Sequence, residues 1–438
     1  MEKAVLLLMH QGKSFTEEAA AAAARLGLPL VAVSSRPEHP EALAESRRHL
    51  ADCVVTEDPV LGFGDVEKAV RELATRGYTV QAALATFEGY RLLMAELNQL
   101  LGAHDSAVAA LRLCLDKFEL RRFLFERGLS EVRGTRLTPG TVPDLDPATR
   151  WFVKPVRGAS SFAAFTLEDP KDLADLPAIQ QQMRSDRRMQ AIFMEQYDFL
   201  VEEYVEGPEF SFETVVLGGE ARHLCVHEKA RVERHARTTL EAMSISPPVC
   251  LDRELVLEGA EFVSSCLGAL RELGLSAGAF HIEAKYWADR GRWEIIEINP
   301  RMGGSLIDAS VQAVTGCSLL SLWTESLLLP ADGTDAFLAR LTEVSQLEAL
   351  RAGTATRGTL FLSKYGEKGR TVDAIGFDPP TRPPRILKLH VEPGTRLDES
   401  DRAICLMDAL WDVAAADLAA EVDFLDRHAT EHFHVRYR

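Results

Sequence analysis

The sequence lacks the marks of several protein classes. Its seven cysteines (53, 114, 225, 250, 266, 317 and 405) are scattered, with no C-x-x-C pair. That fits neither a disulfide framework nor a zinc site, and it points to a reducing compartment with cysteines used as small core hydrophobes. Positive charge is scarce: 49 Lys and Arg stand against 66 Asp and Glu, a net charge of −17. Such a chain repels phosphate backbones and anionic lipid, so neither nucleic acid nor a membrane surface is an expected partner. A phosphate-bearing ligand would need local basic residues or metal ions. No apolar run approaches the roughly 18 residues of a membrane span. The run from Ala4 to Met9 is too short for a secretory leader and runs into His10-Gln11-Gly12-Lys13. A cytoplasmic protein is expected. G-x-G-x-x-G and G-x-x-x-x-G-K-[ST] are both missing, so neither a dinucleotide fingerprint nor a P-loop is supported.

What is present is a long chain of ordinary globular composition. Its 438 residues correspond to roughly three domains at about 150 residues each. The first hundred residues alternate apolar strands (Ala4 to Met9, Leu28 to Ser35, Cys53 to Val55, Val80 to Ala85) with helical segments at 17–27, 66–76 and 89–101. This pattern predicts a parallel sheet with right-handed crossovers. Asp116 to Arg127 reads as a helix, and 151–167 as strand, small-residue loop and strand. Residues 170–194 read as helical. Residues 199–217 read as two strands about a Gly-Pro turn, and 258–273 as a helix. Short β-like runs follow at 359–363 and 386–391, and a last helix is expected from Asp401.

The segment AGAFHIEAKYW-ADRG-RWEIIEINP reads as a hairpin. Alternate strand residues share a face, so His281, Glu283 and Lys285 lie together, as do Glu297 and Asn299. A turn centred on Arg290 sets Glu283 opposite Glu297 and His281 opposite Asn299. Facing carboxylates repel unless neutralised, and a hard cation such as Mg²⁺ suits two carboxylates and an amide oxygen. A solvated hairpin with scattered acids is the alternative. Arg301, beside Gly303-Gly304, adds positive charge suited to a phosphoryl transition state.

Three weaker features accompany it. Lys154 ends a strand and precedes Arg157-Gly158-Ala159-Ser160-Ser161, where small residues let backbone N–H groups approach phosphate oxygens. In Glu202-Glu203-Tyr204-Val205-Glu206-Gly207-Pro208-Glu209, an extended backbone suits an adenine edge and Glu209 suits ribose hydroxyls. Asp116-Lys117 opens a helix. Each has a plain alternative as solvated surface. His428, His432 and His434 are read as surface histidines in preference to a metal site.

In this order the motifs resemble the ATP-grasp superfamily over about residues 110–310. Within it they look most like the carboxylate–amine ligases, in particular the L-amino-acid ligases of the bacilysin-synthetase type. The resemblance implies an α/β and α+β protein: a Rossmann-like pre-ATP-grasp domain (1–110), an ATP-grasp domain (111–334, with lobes at about 111–200 and 201–334), and a C-terminal accessory region (335–438) completing the large lobe. It implies ATP with Mg²⁺, or Mn²⁺, and small-molecule carboxylate and amine substrates, amino acids above all. A homodimer is the family expectation. Lys117 and Lys154 match the phosphate-binding lysines. The loop with Ser160 and Ser161 matches the phosphate cover. Glu202 matches the adenine amino contact, Glu203 and Val205 the backbone contacts, and Glu209 the ribose acid. Glu283, Glu297 and Asn299 match the metal ligands, and Arg301 the arginine at the substrate carboxylate and acyl phosphate. The segment His227-Glu228-Lys229 sits where many members carry a polar segment near the triphosphate and second substrate, and substrate contacts are expected from His227, Glu228, His281, Gly303, Gly304 and Ser305.

The cover loop departs from the family pattern, with Phe162 and Ala163 where a Ser-Gly pair is common. The implied reaction is ADP-forming ligation through an acyl phosphate, with His281, Glu228 or another acid taking the amine's proton. A one-carbon carboxylase or purine-pathway type of ligase, and a non-catalytic nucleotide-binding module, are the rival readings.

Overall fold

Uninterrupted apolar runs build the first sheet. In the computed structural model, which describes residues 1–138, 143–235, 237–330, 332–398 and 404–438, strands β1 (Glu2–Met9), β2 (Leu30–Ser34), β3 (Asp52–Val55) and β4 (Tyr78–Leu84) pair in parallel in the order β3-β2-β1-β4. Ala4 through Met9 are fully buried, as a parallel strand covered on both faces requires. The helix expected at 89–101 begins as a 3₁₀ turn, Glu88–Tyr90, and continues as Arg91–Leu101.

Helix Lys117–Glu126 is capped by Asp116, whose carboxylate accepts from the Glu119 N–H at 2.9 Å. A four-stranded antiparallel sheet follows, ordered β5-β8-β6-β7, from β5 (Gly134–Leu137), β6 (Trp151–Pro155), β7 (Phe165–Leu167) and β8 (Phe199–Glu203). Helices Leu176–Ser185 and Gln190–Phe193 cover it. Because β8 belongs to this small sheet, the change of lobe falls at 204–208 and not at 200.

Gly207 lies in that crossing with φ +123°, and a Cβ there would stand 2.0 Å from the Tyr286 carbonyl oxygen. Only glycine fits.

The large sheet has eight strands in the order β13-β12-β9-β10-β11-β14-β17-β16. They are β9 (Glu209–Leu217), β10 (Glu220–His235), β11 (Thr238–Ser246), β12 (Ala277–Trp287), β13 (Arg292–Asn299), β14 (Arg357–Tyr365), β16 (Ile386–Leu389) and β17 (Cys405–Ala414). Every pair is antiparallel. Strands β15 (Val372–Phe377) and β18 (Phe433–Tyr437) form a separate pair. Three C-terminal strands thus extend the sheet that carries the hairpin.

The helix expected from Asp401 is corrected. Residues 401–403 lie outside the described residues, and Cys405–Ala414 is a strand; the helix runs over Leu418–His432. Leu406 through Leu410 are buried without alternation, and such a run has no period to separate strand from helix. His428, expected at the surface, is 6% exposed and edge-on to His432.

Candidate functional site

The hairpin register is the one its spacing predicts: His281 faces Asn299 and Glu283 faces Glu297. A bulge between Glu283 and Ala284 shifts the remaining pairs toward the 3₁₀ turn Ala288–Arg290. His281, Glu283, Lys285, Glu297 and Asn299 all line one cavity of about 650 Å³ between the two lobes. Glu297 Oε1 accepts from the Asn299 amide at 3.1 Å, and Glu297 Oε2 lies 3.0 Å from Lys117 Nζ. Glu283 Oε2 lies 2.8 Å from Lys229 Nζ. Burial opposes ionisation of Glu297, but Lys117 and Lys154 outweigh it and hold its carboxyl well below the usual range. Two part-buried carboxylates that face each other and draw in ammonium groups, with an amide oxygen beside them, form an oxygen donor set that fits Mg²⁺ or Mn²⁺.

Lys117 Nζ also donates to the Gly158 carbonyl at 3.0 Å, which ties helix Lys117–Glu126 to the cover loop. Lys154 Nζ sits 2.6 Å from Glu202 Oε1 and donates to the Ile296 carbonyl at 3.1 Å. Gly158, Ala159, Ser160 and Ser161 line the cavity. Ser160, Ser161 and Ala163 have φ of +57°, +51° and +49°, left-handed conformations that cost non-glycine residues about 1–2 kcal/mol each. Phe162 is buried and packs edge-on to Phe193 at 5.8 Å between ring centroids. An aromatic anchor therefore holds the loop where the family pattern carries Ser-Gly.

Glu202, Glu203, Val205 and Glu209 line the same cavity. Glu202 is held by Arg121 at 2.8 Å as well as by Lys154. Burial raises its pKa and the two cations reverse the shift downward. Arg121 also donates to the Ile295 carbonyl and to Ser130, so one guanidinium joins the small-lobe helix, β8 and β13. Glu203 pairs with Arg290 at 2.5 Å, and its backbone N–H donates to the Arg133 carbonyl at 2.9 Å. Glu209 meets Lys229 at 2.5 Å and Lys285 at 3.4 Å; despite burial these cations lower its pKa to about 2.

Arg301, Gly303, Gly304 and Ser305 line the cavity beyond the hairpin. A Cβ on Gly303 would fall 2.5 Å from Ile307 Cγ2 and 2.9 Å from His281 Nδ1, so the turn requires glycine. Buried Arg91 donates to the Pro300 carbonyl at 2.8 Å and pins the turn to the first domain. Arg301 pairs with Glu88, which enters from the end of the first sheet.

His281 lies between Glu213, 2.7 Å from Nδ1, and Glu283, 3.3 Å from Nε2. Burial lowers its pKa, but the two carboxylates raise it to about 10. It is an imidazolium at neutral pH and has no free lone pair for an amine's proton. His227 and Glu228 do not line the cavity. His227 bonds Ser310 Oγ at 2.8 Å, and Glu228 accepts from the Val249 and Cys250 N–H groups. Their expected substrate contacts are corrected: His227 is fully buried between Ser310 and Glu213, Glu228 alternates to the other face and meets Val249 and Cys250, and Lys229 faces the cavity. Of the segment His227-Glu228-Lys229, Lys229 alone lines the cavity. Glu88, Glu213 and Arg121 carry no local motif; their partners come from long-range packing.

Residues 149–309 match the family model of the ATP-grasp domain. No curated protein matches the chain in sequence. Among solved structures, it is similar to an L-amino acid ligase from Bacillus licheniformis, with 18% identity, complete coverage of both chains and a TM-score of 0.77. It is also similar to phosphoribosylglycinamide synthetase from Anaerococcus prevotii (13%, complete coverage of both, 0.64) and to a biotin carboxylase from Campylobacter jejuni (14%, 99% of this chain and 92% of that one, 0.65). The chain has the ATP-grasp fold, with a parallel α/β domain preceding it and C-terminal strands completing its large sheet. Lys117, Lys154, Glu283, Glu297 and Asn299 are gathered in one cavity of that fold.

Proposed function

We propose that the protein is an ATP-dependent carboxylate–amine ligase that joins amino acids through an acyl phosphate, releasing ADP and phosphate. The observation that carries this reading is the Arg301–Glu88 pair, part of the same cavity as the Glu283–Glu297–Asn299 set. An amino acid carries a carboxylate and an ammonium a few ångströms apart. Arg301 suits the first and Glu88 the second, so the internal pair gives way to the substrate's own two charges. A one-carbon acid offers Glu88 nothing.

In this reading Val205 and the Glu203 backbone would meet adenine and Glu209 the ribose. Lys117, Lys154 and the Gly158–Ser161 loop would meet the phosphates. Glu283, Glu297 and Asn299 would hold Mg²⁺ or Mn²⁺, which supplies charge neutralisation for phosphoryl transfer. Arg301 orients the carboxylate for attack on the γ-phosphate, and Lys154 stabilises the transferring group. The cover loop excludes water from the acyl phosphate. An amine then attacks the acyl carbon and phosphate leaves. His281, fixed as a double donor, positions Glu283 and is not the proton acceptor.

Incubation with ATP, Mg²⁺ and pooled amino acids, read by nucleotide and product mass, tests the proposal. ADP with a condensation product is expected. AMP with pyrophosphate would replace the acyl phosphate by an adenylate.

A further inference from the structure

Among the described residues eight acids line the cavity, and seven of them sit on a lysine or arginine. Glu88 has Arg301 and Glu297 has Lys117, and the others lie against Lys154, Lys229 or Arg290. Asp408, on β17, is different. Among the described residues it has no lysine or arginine partner, yet it is only 2% exposed.

Four other donors organise its carboxylate. Oδ2 accepts from the Ser305 hydroxyl and from His390 Nε2 at 2.8 Å; Oδ1 accepts from Ser363 Oγ at 2.6 Å and from the Cys405 thiol at 3.2 Å. Burial alone would favour the neutral acid, but His390, Ser305 and Ser363 reverse this and lower its pKa, which keeps a negative charge on the cavity wall. Hydroxyl and thiol hydrogens rotate, and a thiol is a weak donor. Ser305, Ser363 and Cys405 all face the cavity, so a cation arriving there can take over the Cys405 position and find hydroxyl oxygens as further acceptors. A carboxylate held by His390, hydroxyls and a thiol, with no lysine or arginine against it among the described residues, suits a positive ligand group.

We propose that Asp408 is the subsite for the ammonium group of the amine substrate, with Ser305 and Ser363 as its flanking acceptors. This rests on the ligase reading. That reading already gives the carboxylate substrate's ammonium an acid, Glu88, at the guanidinium of Arg301. Asp408 stands on the C-terminal wall, outside residues 149–309 that match the ATP-grasp model, and reaches the reaction turn through Ser305. The amine arrives charged at neutral pH and binds there; it gives one proton to solvent water, and the neutral amine then attacks the acyl carbon as inorganic phosphate leaves.

The test separates the two half-reactions. Carboxylate-dependent ADP release with hydroxylamine, which is neutral at pH 7.5, reports acyl-phosphate formation without an ammonium subsite. In Asp408→Asn, amino-acid-dependent turnover at low amine concentration should fall at least tenfold relative to hydroxylamine-dependent turnover. The amine KM should rise, while the KM of the carboxylate substrate moves less than twofold. An unchanged ratio overturns the proposal, and a rise confined to the carboxylate KM assigns Asp408 to the first substrate instead. If Asp408→Asn does not fold, Ser363→Ala must raise the amine KM severalfold; no rise overturns the proposal. Stoichiometric zinc in the purified wild type that is lost in Asp408→Asn would also overturn it, because His390, Cys405 and Asp408 lie close enough to share a metal. Wild type that releases no ADP with any carboxylate and hydroxylamine fails the ligase reading itself.

Discussion

Glu88 and Arg301, 213 residues apart in the chain, are joined by an ion pair of 2.9 Å at the cavity wall. Glu88 is 8% exposed, so a ligand must compete with an interior carboxylate for the guanidinium. In Glu88→Gln the competing charge is gone, and so is the partner for a substrate ammonium. A charged hydrogen bond contributes about 1.5–3 kcal/mol, so the KM of an α-amino acid as carboxylate donor should rise roughly 10- to 100-fold. A carboxylate without an amino group should be accepted no worse than by wild type. Carboxylate-dependent ADP release measures both.

The facing carboxylates make a second prediction. Glu297→Ala removes one oxygen ligand and the partner of Lys117. ADP formation should fall by two orders of magnitude or more, about 3 kcal/mol in barrier. Chelation of divalent cations should abolish wild-type turnover, and Mg²⁺ should restore it. Normal ADP production by Glu297→Ala would remove the metal assignment.

Arg121 holds Glu202 and Glu294 in the interior and bonds the Ile295 carbonyl. Truncation leaves two buried carboxylates with fewer charges to satisfy them. Breaking a buried pair costs about 3–5 kcal/mol, so Arg121→Met should lower the melting temperature by several degrees. Glu203→Gln, at a side chain paired with a part-exposed arginine, should change it little.

The Glu213–His281–His227 group gives a pH signature. Both histidine pKa values rise from 6.5 to about 10, burial being outweighed by Glu213 and then Glu283 for His281, and by Cys225 and then Glu213 for His227. A raised folded-state pKa stabilises fully below the unfolded value and loses that contribution as pH climbs through the folded one. Glu213, with its pKa lowered, contributes above its unfolded value of 4.5 and loses that contribution in acid. Wild type should therefore lose stability between pH 6.5 and 10 more steeply than Glu213→Gln. Thermal melts across that range would show it; parallel curves would exclude the coupling.

Phe162 anchors a loop with three left-handed non-glycine residues. Phe162→Ala should destabilise the small lobe by about 3 kcal/mol and raise the KM for ATP, with faster hydrogen exchange confined to 157–164. Unchanged exchange there would mean that the aromatic does not hold the cover in place.

Sequence by itself determined the local pieces. The Asp116 cap, the parallel strands of the first hundred residues and the 281–299 hairpin with its register all follow from short-range rules: capping, uninterrupted apolar runs, and side chains alternating about a turn. The order of the motifs carried the ATP-grasp resemblance, and the gathering of Lys117, Lys154, Glu283, Glu297, Asn299 and Arg301 in one cavity agrees with it. Tertiary structure decided what depends on distant partners. A buried carboxylate takes whatever cation the fold brings to it, so the Arg121–Glu202, Lys229–Glu283 and Glu88–Arg301 pairs left no trace in local spacing. His227 and Glu228 are kept from the cleft by distant partners, Ser310 and Glu213 for one and the Val249 and Cys250 N–H groups for the other. Cys405–Ala414 became a strand because β14 and β16 pair with its two edges, and that strand placed Asp408 on the wall of a site more than a hundred residues away in sequence.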